Sequence, residues 1–285
     1  MIYLLAASLL WAFSFGLIKG QLAGLDPVAV SCGRLLLASV AFSPLVFKST
    51  LSRRTVFSAM GLGMIQFGLM YVLYITSYRW LPAWMVALFT IFTPLYVVLF
   101  SDLLERRFHP RHLVSAMLAV VGAGVVVVTA MPAEADWRGI VLLQGANLCF
   151  AAGQVYFVRL KRQASVGEAA LLGWMYLGAA LFTLVIVLVG MAGGGRPLAG
   201  WTGRAWWVLL YLGLLPTALG FYLWNKGATR VGAGLLATAN NLKVPLAVLV
   251  SWLVFGEVAA YGRVLVGLAV ILGALFLARP RARGI

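Results

Sequence analysis

The sequence predicts an all-α membrane protein of ten transmembrane helices, built as two inverted five-helix repeats with both termini in the cytoplasm. Three observations predict this class. Hydrophobic residues make up 63% of the 285 residues and charged residues only 10%, which is too little charge to cover a soluble domain. Uncharged stretches of at least about 18 residues, long enough to cross roughly 30 Å of hydrocarbon, recur along the whole chain. Basic residues concentrate in alternate connectors between these stretches, a pattern that marks the cytoplasmic side.

The apolar stretches are interpreted as helices because a chain in lipid must satisfy its own backbone hydrogen bonds, and each run is about twice as long as a barrel strand. The first run ends at Lys19 without a cleavage site, so it is interpreted as a span and not as a signal peptide. The two repeats are predicted at 1–130 and 138–280, followed by a basic cytoplasmic tail at 281–285. The predicted spans are 2–20, 27–47, 56–78, 82–101, 112–130, 139–158, 169–190, 204–224, 232–254 and 262–278.

The basic residues predict the orientation of these spans. One set of connectors holds 14 Lys and Arg residues and the alternate set holds 6. The larger set is Lys48, Arg53, Arg54, Arg106, Arg107, Arg111, Arg159, Lys161, Arg162, Lys226, Arg230, Arg279, Arg281 and Arg283. The smaller set is Lys19, Arg79, Arg138, Arg196, Arg204 and Arg263. The net charge of +15 is therefore attributed to orientation in a bacterial inner membrane and not to nucleic acid binding.

An internal repeat relates the two halves. A shift of 151 positions aligns Pro94 with Pro245 and Tyr71 with Tyr222, and the alignment needs no gap across three consecutive spans. Each half holds five spans, an odd number, so the second half enters the membrane from the opposite side. Inverted repeats of this kind are characteristic of carriers that alternate access around a midplane site. The two prolines are hinge candidates for such a motion, although static kinks that shape a cavity fit the sequence equally well.

Several segments resemble the EamA type of the drug/metabolite transporter superfamily over nearly the whole chain. They are Trp11-Ala-Phe-Ser-Phe-Gly with Lys19, the Arg34 of span two, Gly-Leu-Leu-Pro-Thr-Ala-Leu-Gly-Phe-Tyr-Leu-Trp-Asn-Lys at 213–226, and Val-Pro-Leu-Ala-Val-Leu at 244–249 followed by Phe255-Gly256-Glu257. The first half departs from the pattern, with Leu104-Glu105-Arg106-Arg107 in place of Phe-Gly-Glu. Within the superfamily the chain looks most like the aromatic amino acid exporters of the YddG kind. The resemblance implies ten helices, a central cavity between the halves, and export of amino acids or related metabolites.

Lys243 is the strongest candidate for substrate binding. It lies near the middle of span nine, where a charge costs about 2.5–3.5 kcal/mol and is expected to face a wet cavity or a partner. Asn240 precedes it by three residues and shares its helix face. A substrate carboxylate would suit the ammonium group, whereas the alternative is a structural lysine bonded to carbonyls exposed near Pro245. Arg34, close to the centre of span two, is interpreted as a structural residue that snorkels or clamps a broken helix end.

Aromatic and amide stripes at helical spacing add further candidates on spans one, three and six. Polar side chains at this depth face protein or water, so spans one, three, six and nine are predicted to line one cavity. Tyr and Trp would offer it flat apolar walls with a polar edge. The alternative is that the aromatic residues anchor the membrane interface and the amides join helices. Besides Lys243 and Asn240, the predicted binding residues are Trp11, Phe15, Tyr71, Tyr74, Tyr78, Asn147 and Gln154.

Several kinds of chemistry are disfavoured by what the spans lack. No acidic residue lies in a predicted span core, so no carboxylate proton relay is expected. No Walker-type phosphate loop is present, which argues against transport driven by ATP. His109 and His112 lie in a basic connector that lacks cysteine or a nearby acidic pair in sequence, so no metal site and no cofactor are predicted.

The sequence therefore predicts a secondary transporter or exporter of small metabolites that works by alternating access. Amino acids with aromatic or other apolar side chains are the first expectation for its substrate. Its partners would be a small-molecule substrate and the lipid bilayer. The alternative is a flippase for lipids, or a transporter of nucleotide-linked metabolites, on the same scaffold. An integral-membrane enzyme is disfavoured because the spans lack convergent acids, bases and metal ligands.

Overall fold

The structure, a computed structural model, describes residues 1–22, 24–81, 86, 89–127, 136–164, 167–246 and 261–278. These residues form helices joined by short connectors, as the sequence predicts. The end of predicted span nine and the basic tail at 281–285 lie outside the described residues. The helices are α1 Ile2–Gln21, α2 Pro27–Phe47, α3 Arg53–Ser77, α4 Thr93–Glu105, α5 Pro110–Val127, α6 Trp137–Gln163, α7 Glu168–Ala192, α8 Gly203–Ala228, α9 Ala233–Ala239 and α10 Tyr261–Leu277.

Five of these helices (α2, α3, α6, α7 and α8) are long and apolar enough to cross a bilayer. Helices α1, α5 and α10 contain shorter apolar stretches. A chain with this many apolar helices is a multi-pass membrane protein. The count of ten spans and their orientation stay predictions.

Polar caps determine where several helices begin. The side chain of Asp26 accepts a hydrogen bond from the backbone N–H of Ala29 at 2.8 Å and begins α2. Ser52 does the same for the N–H of Thr55 at 3.2 Å. Such caps satisfy amide groups that the first helical turn leaves unpaired. Helix α3 therefore starts at Arg53 and not at the predicted residue 56.

Two helices contain π-helical segments that the sequence analysis did not predict. They are Met64–Leu69 in α3 and Gly213–Leu219 in α8. A π segment shifts the hydrogen-bond register and is frequent at functional sites. Gln66 and Thr217, which lie within these segments, are separated by the repeat shift of 151 positions. The two interruptions therefore occupy matched places in the sequence.

Predicted spans four and nine are interrupted by turns. Residues Ile91 and Phe92 form a turn directly before α4, and turn residues 240–242 separate α9 from helical residues 243–246. Pro94 lies in the first turn of α4, and Pro245 lies in the short segment after the second turn. The two prolines are thus placed beside turns, and their role as hinges stays a prediction. Each proline lies near the start of a new helical segment, where its missing N–H is not needed.

The helices pack in a regular pattern. Helix α2 packs along α7, α5 along α10 and α4 along α9, while α1 contacts α8 and α3 contacts α6. Helices α3 and α7 also approach closely through glycine. A Cβ atom at Gly63 would overlap the Met175 carbonyl, and one at Gly178 would overlap the Met60 carbonyl. Small residues permit this close approach of helices within a bilayer.

The glycine contact between α3 and α7 gives a stability prediction. Gly178→Ala is expected to lower the free energy of unfolding by about 1–3 kcal/mol, because the added methyl group pushes the two backbones apart. The measurement is thermal unfolding of the detergent-purified protein. Gly61→Ala is the matched control on α3, since nothing lies within 4 Å of the added carbon. Equal melting temperatures for the two variants would contradict the prediction.

Candidate functional site

A cavity, which we call the central cavity, lies among α1, α2, α3, α6, α8 and the residues beside the two turns. It encloses about 610 Å³ of empty space, including its open mouth. Among the predicted binding residues, the structure brings five to its wall: Trp11, Tyr71, Tyr74, Asn147 and Lys243. The other wall residues are Ser14, Ile18, Arg34, Met70, Thr90, Ala146, Phe150 and Phe221. The wall is therefore largely apolar and aromatic, with a few polar groups and two cations.

Lys243 is the first helical residue after the turn that follows α9. The residue is 8% exposed, and its Nζ lies 5.8 Å from the centroid of the Phe150 ring. Among the described residues, no carboxylate lies within ion-pair distance of this ammonium group. An isolated buried charge is costly unless something pairs with it. The position therefore suits an anion that enters the cavity.

Arg34 is the second buried cation of the cavity, and its partners are neutral. Its Nε and Nη2 donate hydrogen bonds to Thr217 Oγ1 at 3.1 and 3.0 Å. Nη2 also donates to the Tyr71 hydroxyl at 2.9 Å. Nη1 is fully buried and has no hydrogen-bond partner among the described residues. Arg34 thus joins α2 to α3 and to the π segment of α8, in line with the structural role expected from sequence.

Trp11 is held in place by the π segment of α8. Its Nε1 donates to the Pro216 carbonyl at 2.9 Å. Its ring lies 5.0 Å from Phe221 and 5.9 Å from Phe150, measured between centroids. Tyr176 bonds the next carbonyl of this segment, that of Thr217, at 2.8 Å. Side chains from other helices therefore satisfy the carbonyls of the interrupted helix, and one of them becomes an aromatic wall of the cavity.

Asn147 likewise donates a hydrogen bond to a backbone carbonyl beside the turn before α4. Its Nδ2 donates to the Phe89 carbonyl at 2.9 Å, and Gln144 Nε2 donates to the same carbonyl at 3.2 Å. From the other half, Asn241 Nδ2 donates to the carbonyls of Ile91 and Ala119, each at 3.0 Å. The amide side chains therefore join helices, which was the alternative that the sequence left open for them. Asn147 also lines the cavity.

The remaining predicted site residues lie elsewhere. Gln154 and Asn240 are fully buried beside the cavity and contact each other, with Asn240 Nδ2 3.4 Å from Gln154 Oε1. Tyr78 is buried behind the wall and bonds the Tyr74 hydroxyl at 2.8 Å. Phe15 belongs to α1, but its side chain lies outside the described part of the structure.

Sequence reasoning did not assign Phe150 or Phe221 to the cavity. A signal existed for both of them. Phe150 follows Asn147 by three residues and so shares its helix face. Phe221 precedes Tyr222 in the segment that carries the family resemblance. Neither signal was sufficient, because an apolar residue in an apolar span cannot be distinguished by sequence from one that only packs against other helices.

The histidine cluster needs a correction. The sequence argument against a metal was that the histidines lack a cysteine and a nearby acidic pair, yet His109 lies close to two carboxylates, with its Nδ1 2.7 Å from Asp102 Oδ1 and its Nε2 3.8 Å from Glu105 Oε2. The chain reverses after α4 through Arg106, whose φ is 50°, and returns His109 to Asp102. Ligand atoms of Asp102, His109 and His112 lie within 4.8 Å of one another. The two imidazole rings are stacked at 5.0 Å with an interplanar angle of 21°, so their in-plane lone pairs do not converge on one point. The absence of a metal stays a prediction.

Comparison with known proteins gives a family and several relatives. The profile of the EamA-like transporter family matches residues 1–128 and 137–279. A "Probable biotin transporter" of Pseudomonas aeruginosa is 41% identical over 281 residues, covering 97% of this chain and 96% of that protein. The "Biotin transporter" of Escherichia coli K12 is 34% identical over 281 residues, covering 98% and 93%.

Two further similarities are more distant. The "Aromatic amino acid exporter YddG" of Ancylobacter novellus is 29% identical over 196 residues, covering 67% of this chain and 64% of that protein. A solved structure described as "Crystal structure of protein" superposes with a TM-score of 0.78 at 21% identity, covering 100% of this chain and 98% of that chain. At this identity the structural likeness concerns the fold alone.

The contacts of Arg34 give a second stability prediction. Tyr71→Phe removes a hydroxyl that accepts a hydrogen bond from a buried cation, so the free energy of unfolding should fall by about 1.5–3 kcal/mol. Tyr74→Phe is the matched control one turn away. It removes a bond between two neutral hydroxyls and should cost only about 0.5–1.5 kcal/mol. Thermal unfolding in detergent compares the two, and a larger loss for Tyr74→Phe would contradict the role given to Arg34.

Proposed function

The chain belongs to the EamA-like transporter family, and from this premise we propose that it carries biotin, or a carboxylate closely similar to biotin, across the bacterial inner membrane. It is a transporter of small molecules and not an enzyme. The biotin assignment draws on relatives that match nearly the full length of the chain. It also draws on the chemistry of the central cavity.

One observation carries the proposal. Lys243 is a buried cation on the cavity wall, and no described carboxylate pairs with it. Biotin carries a single carboxylate at the end of a flexible chain. When that carboxylate pairs with Lys243, the cost of burying each charge is partly recovered by the other.

The rest of the cavity suits the rest of the molecule. Biotin has an apolar thioether ring, an aliphatic chain and a ureido group that both donates and accepts hydrogen bonds. The aromatic faces of Trp11, Phe150 and Phe221 provide apolar walls. The Tyr74 hydroxyl and the Asn147 amide provide polar contacts on the same wall. Sites of this kind combine an apolar lining with a few placed polar groups.

An amino acid fits this cavity less well than the sequence led us to expect. A free amino acid carries an ammonium group as well as a carboxylate, and its ammonium needs an acceptor. The described wall of the cavity offers two cations and no carboxylate. The biotin transporters also match more of the chain, and at higher identity, than the aromatic amino acid exporter does. Amino acid transport therefore enters the proposal only as an alternative outcome of the test.

The transport motion belongs to the same proposal. We take the two halves as inverted repeats related by a pseudo-two-fold axis, as the separate family matches to 1–128 and 137–279 suggest. The helix contacts support this view. The shift of five helices maps the α1–α8 contact onto α6–α3, and it maps each of the α2–α7, α4–α9 and α5–α10 contacts onto itself. Alternating access would then proceed by rocking of the halves, with bending at the turns near Pro94 and Pro245 and at the π segments.

The role of Lys243 is tested by counterflow in proteoliposomes loaded with biotin. Lys243→Ala is expected to raise the half-saturating concentration of labelled biotin by about 10- to 100-fold. This is the loss of affinity that follows when one charge-assisted hydrogen bond is removed. Lys48→Ala is the matched control, because Lys48 is an exposed lysine at the end of α2. It should exchange biotin at the wild-type level.

A ligand series separates the substrate from the residue. Desthiobiotin keeps the carboxylate and should compete with labelled biotin, whereas biotinol lacks the carboxylate and should not. Equal exchange by wild type and Lys243→Ala would make Lys243 structural while leaving biotin as the substrate. Exchange of phenylalanine without exchange of biotin would instead overturn the substrate assignment in favour of the amino acid.

A further inference from the structure

A second cavity opens on the side that the basic residues predict to be cytoplasmic. It encloses about 720 Å³ of empty space, including its open mouth, between α4, α6 and the α8–α9 connection. Arg159 and Arg162 line it from the end of α6, and Glu105 lines it from the end of α4. The arginines place positive charge at a mouth through which an anionic solute would pass.

Three helices run from the central cavity to this second cavity. On α6, Asn147 and Phe150 line the central cavity, and Val155 and Val158 line the second. On α8, Phe221 lines the central cavity and Ala228 the second. On the segment formed by α9 and the turn that follows it, Leu236 lines the second cavity and Lys243, directly after the turn, lines the central one. Residues that lie between these positions on each helix must therefore separate the two spaces.

One residue from each helix fills that intervening layer. They are Gln154 of α6, Trp224 of α8 and Asn240, which follows α9. Trp224 Nε1 donates to Gln154 Oε1 at 3.1 Å, and Asn240 Nδ2 lies 3.4 Å from the same oxygen. Each of the three is at most 1% exposed. Trp11 of the central cavity packs against Trp224, with ring centroids 5.0 Å apart and an interplanar angle of 40°.

The layer is closed but incompletely bonded. Gln154 Nε2 and Asn240 Oδ1 are buried without hydrogen-bond partners among the described residues. Unpaired buried polar atoms of this kind destabilise the arrangement that buries them. Separation of the three helices would admit water to both atoms, which lowers the free energy of opening.

We propose that Gln154, Trp224 and Asn240 form the closed inner gate of the transport route, and that the second cavity is its cytoplasmic mouth. The proposal rests on the proposed function in one respect, that the central cavity lies on the route of the solute. It reassigns Gln154 and Asn240 from direct substrate contact to control of passage. In the opposite state, the solute would move past the layer toward Arg159 and Arg162.

The gate is tested with thiol reagents that do not cross membranes. In a Cys32→Ala, Cys149→Ala background, Ser14→Cys reports on the central cavity and Val158→Cys on the second. Each reporter is labelled in vesicles of both orientations. With the layer intact, Ser14→Cys should react from the side opposite to the one that labels Val158→Cys.

Variants that open the layer should let the thiol reagent reach Ser14→Cys from the side that labels Val158→Cys. Gln154→Ala removes the shared acceptor, and Trp224→Phe removes the indole donor while keeping an aromatic ring. Each should speed labelling of Ser14→Cys from the Val158 side roughly tenfold, as expected when one hydrogen bond no longer holds the closed state. Asn225→Ala is the matched control. Asn225 is equally buried, but its Nδ2 bonds the Phe221 carbonyl of its own helix, so the rate should not change.

The outcomes are distinct from those of the biotin assay, because thiol labelling needs no transported solute. Unchanged labelling in both layer variants, with Val158→Cys still labelled normally as evidence of folding, would overturn the gate. So would rapid labelling of Ser14→Cys from both sides with the layer intact. Altered sidedness without biotin exchange would support the gate and reject only the substrate.

Discussion

The structure depends on one constraint, that every backbone polar group inside a bilayer must find a partner within the protein. In the described part of the chain, helices are interrupted at two π segments and two turns, and carbonyls of the π segment of α8 and beside the turn before α4 accept bonds from side chains. Trp11 bonds the Pro216 carbonyl, Asn147 bonds that of Phe89, and Asn241 bonds that of Ile91. These bonds come from other helices, so they fix tertiary positions as well as local ones. Two of these side chains, Trp11 and Asn147, also form part of the wall of the central cavity.

Uncompensated positive charge gives this cavity its chemical character. Arg34 satisfies its guanidinium largely with the hydroxyls of Thr217 and Tyr71, and it is thereby committed to joining helices. Lys243 has no comparable partner among the described residues, which is why we propose that its charge pairs with the solute. The surroundings of the two cations differ, because hydroxyl acceptors contact the Arg34 guanidinium whereas the Lys243 ammonium lies 5.8 Å from the centroid of the Phe150 ring. A carboxylate with an apolar body complements such a site better than a zwitterion does.

Much of this arrangement could be predicted from sequence, for identifiable reasons. Long apolar runs have few physical interpretations, so the helices followed directly. For Lys243 the sequence left two interpretations open, a cavity residue or a structural lysine, and the structure places it on the cavity wall. The helix face predicted for Lys243 and Asn240 together was wrong, because turn residues 240–242 interrupt the helix between them and only Lys243 lines the cavity. Gln154 and Asn240 were expected on the cavity wall, whereas the structure places them against each other. The π segments of α3 and α8 shift the helical register of the residues that follow them. No local sequence pattern predicts such a segment. The contact of His109 with Asp102 likewise depends on a single left-handed residue at Arg106.

The clamp made by Arg34 has a further consequence for the energetics of the chain. In the proposed cycle, perfectly identical inverted halves would make the inward- and outward-open forms equivalent by two-fold rotation and equal in free energy. The matching position for Arg34, at the shift of 151, is Val185, and the counterpart of Thr217 is Gln66, whose side-chain atoms have no hydrogen-bond partner in the described part of the chain. The Arg34 clamp is therefore present in one half only, and under the proposed alternating-access cycle this difference would make the free energies of the two forms unequal.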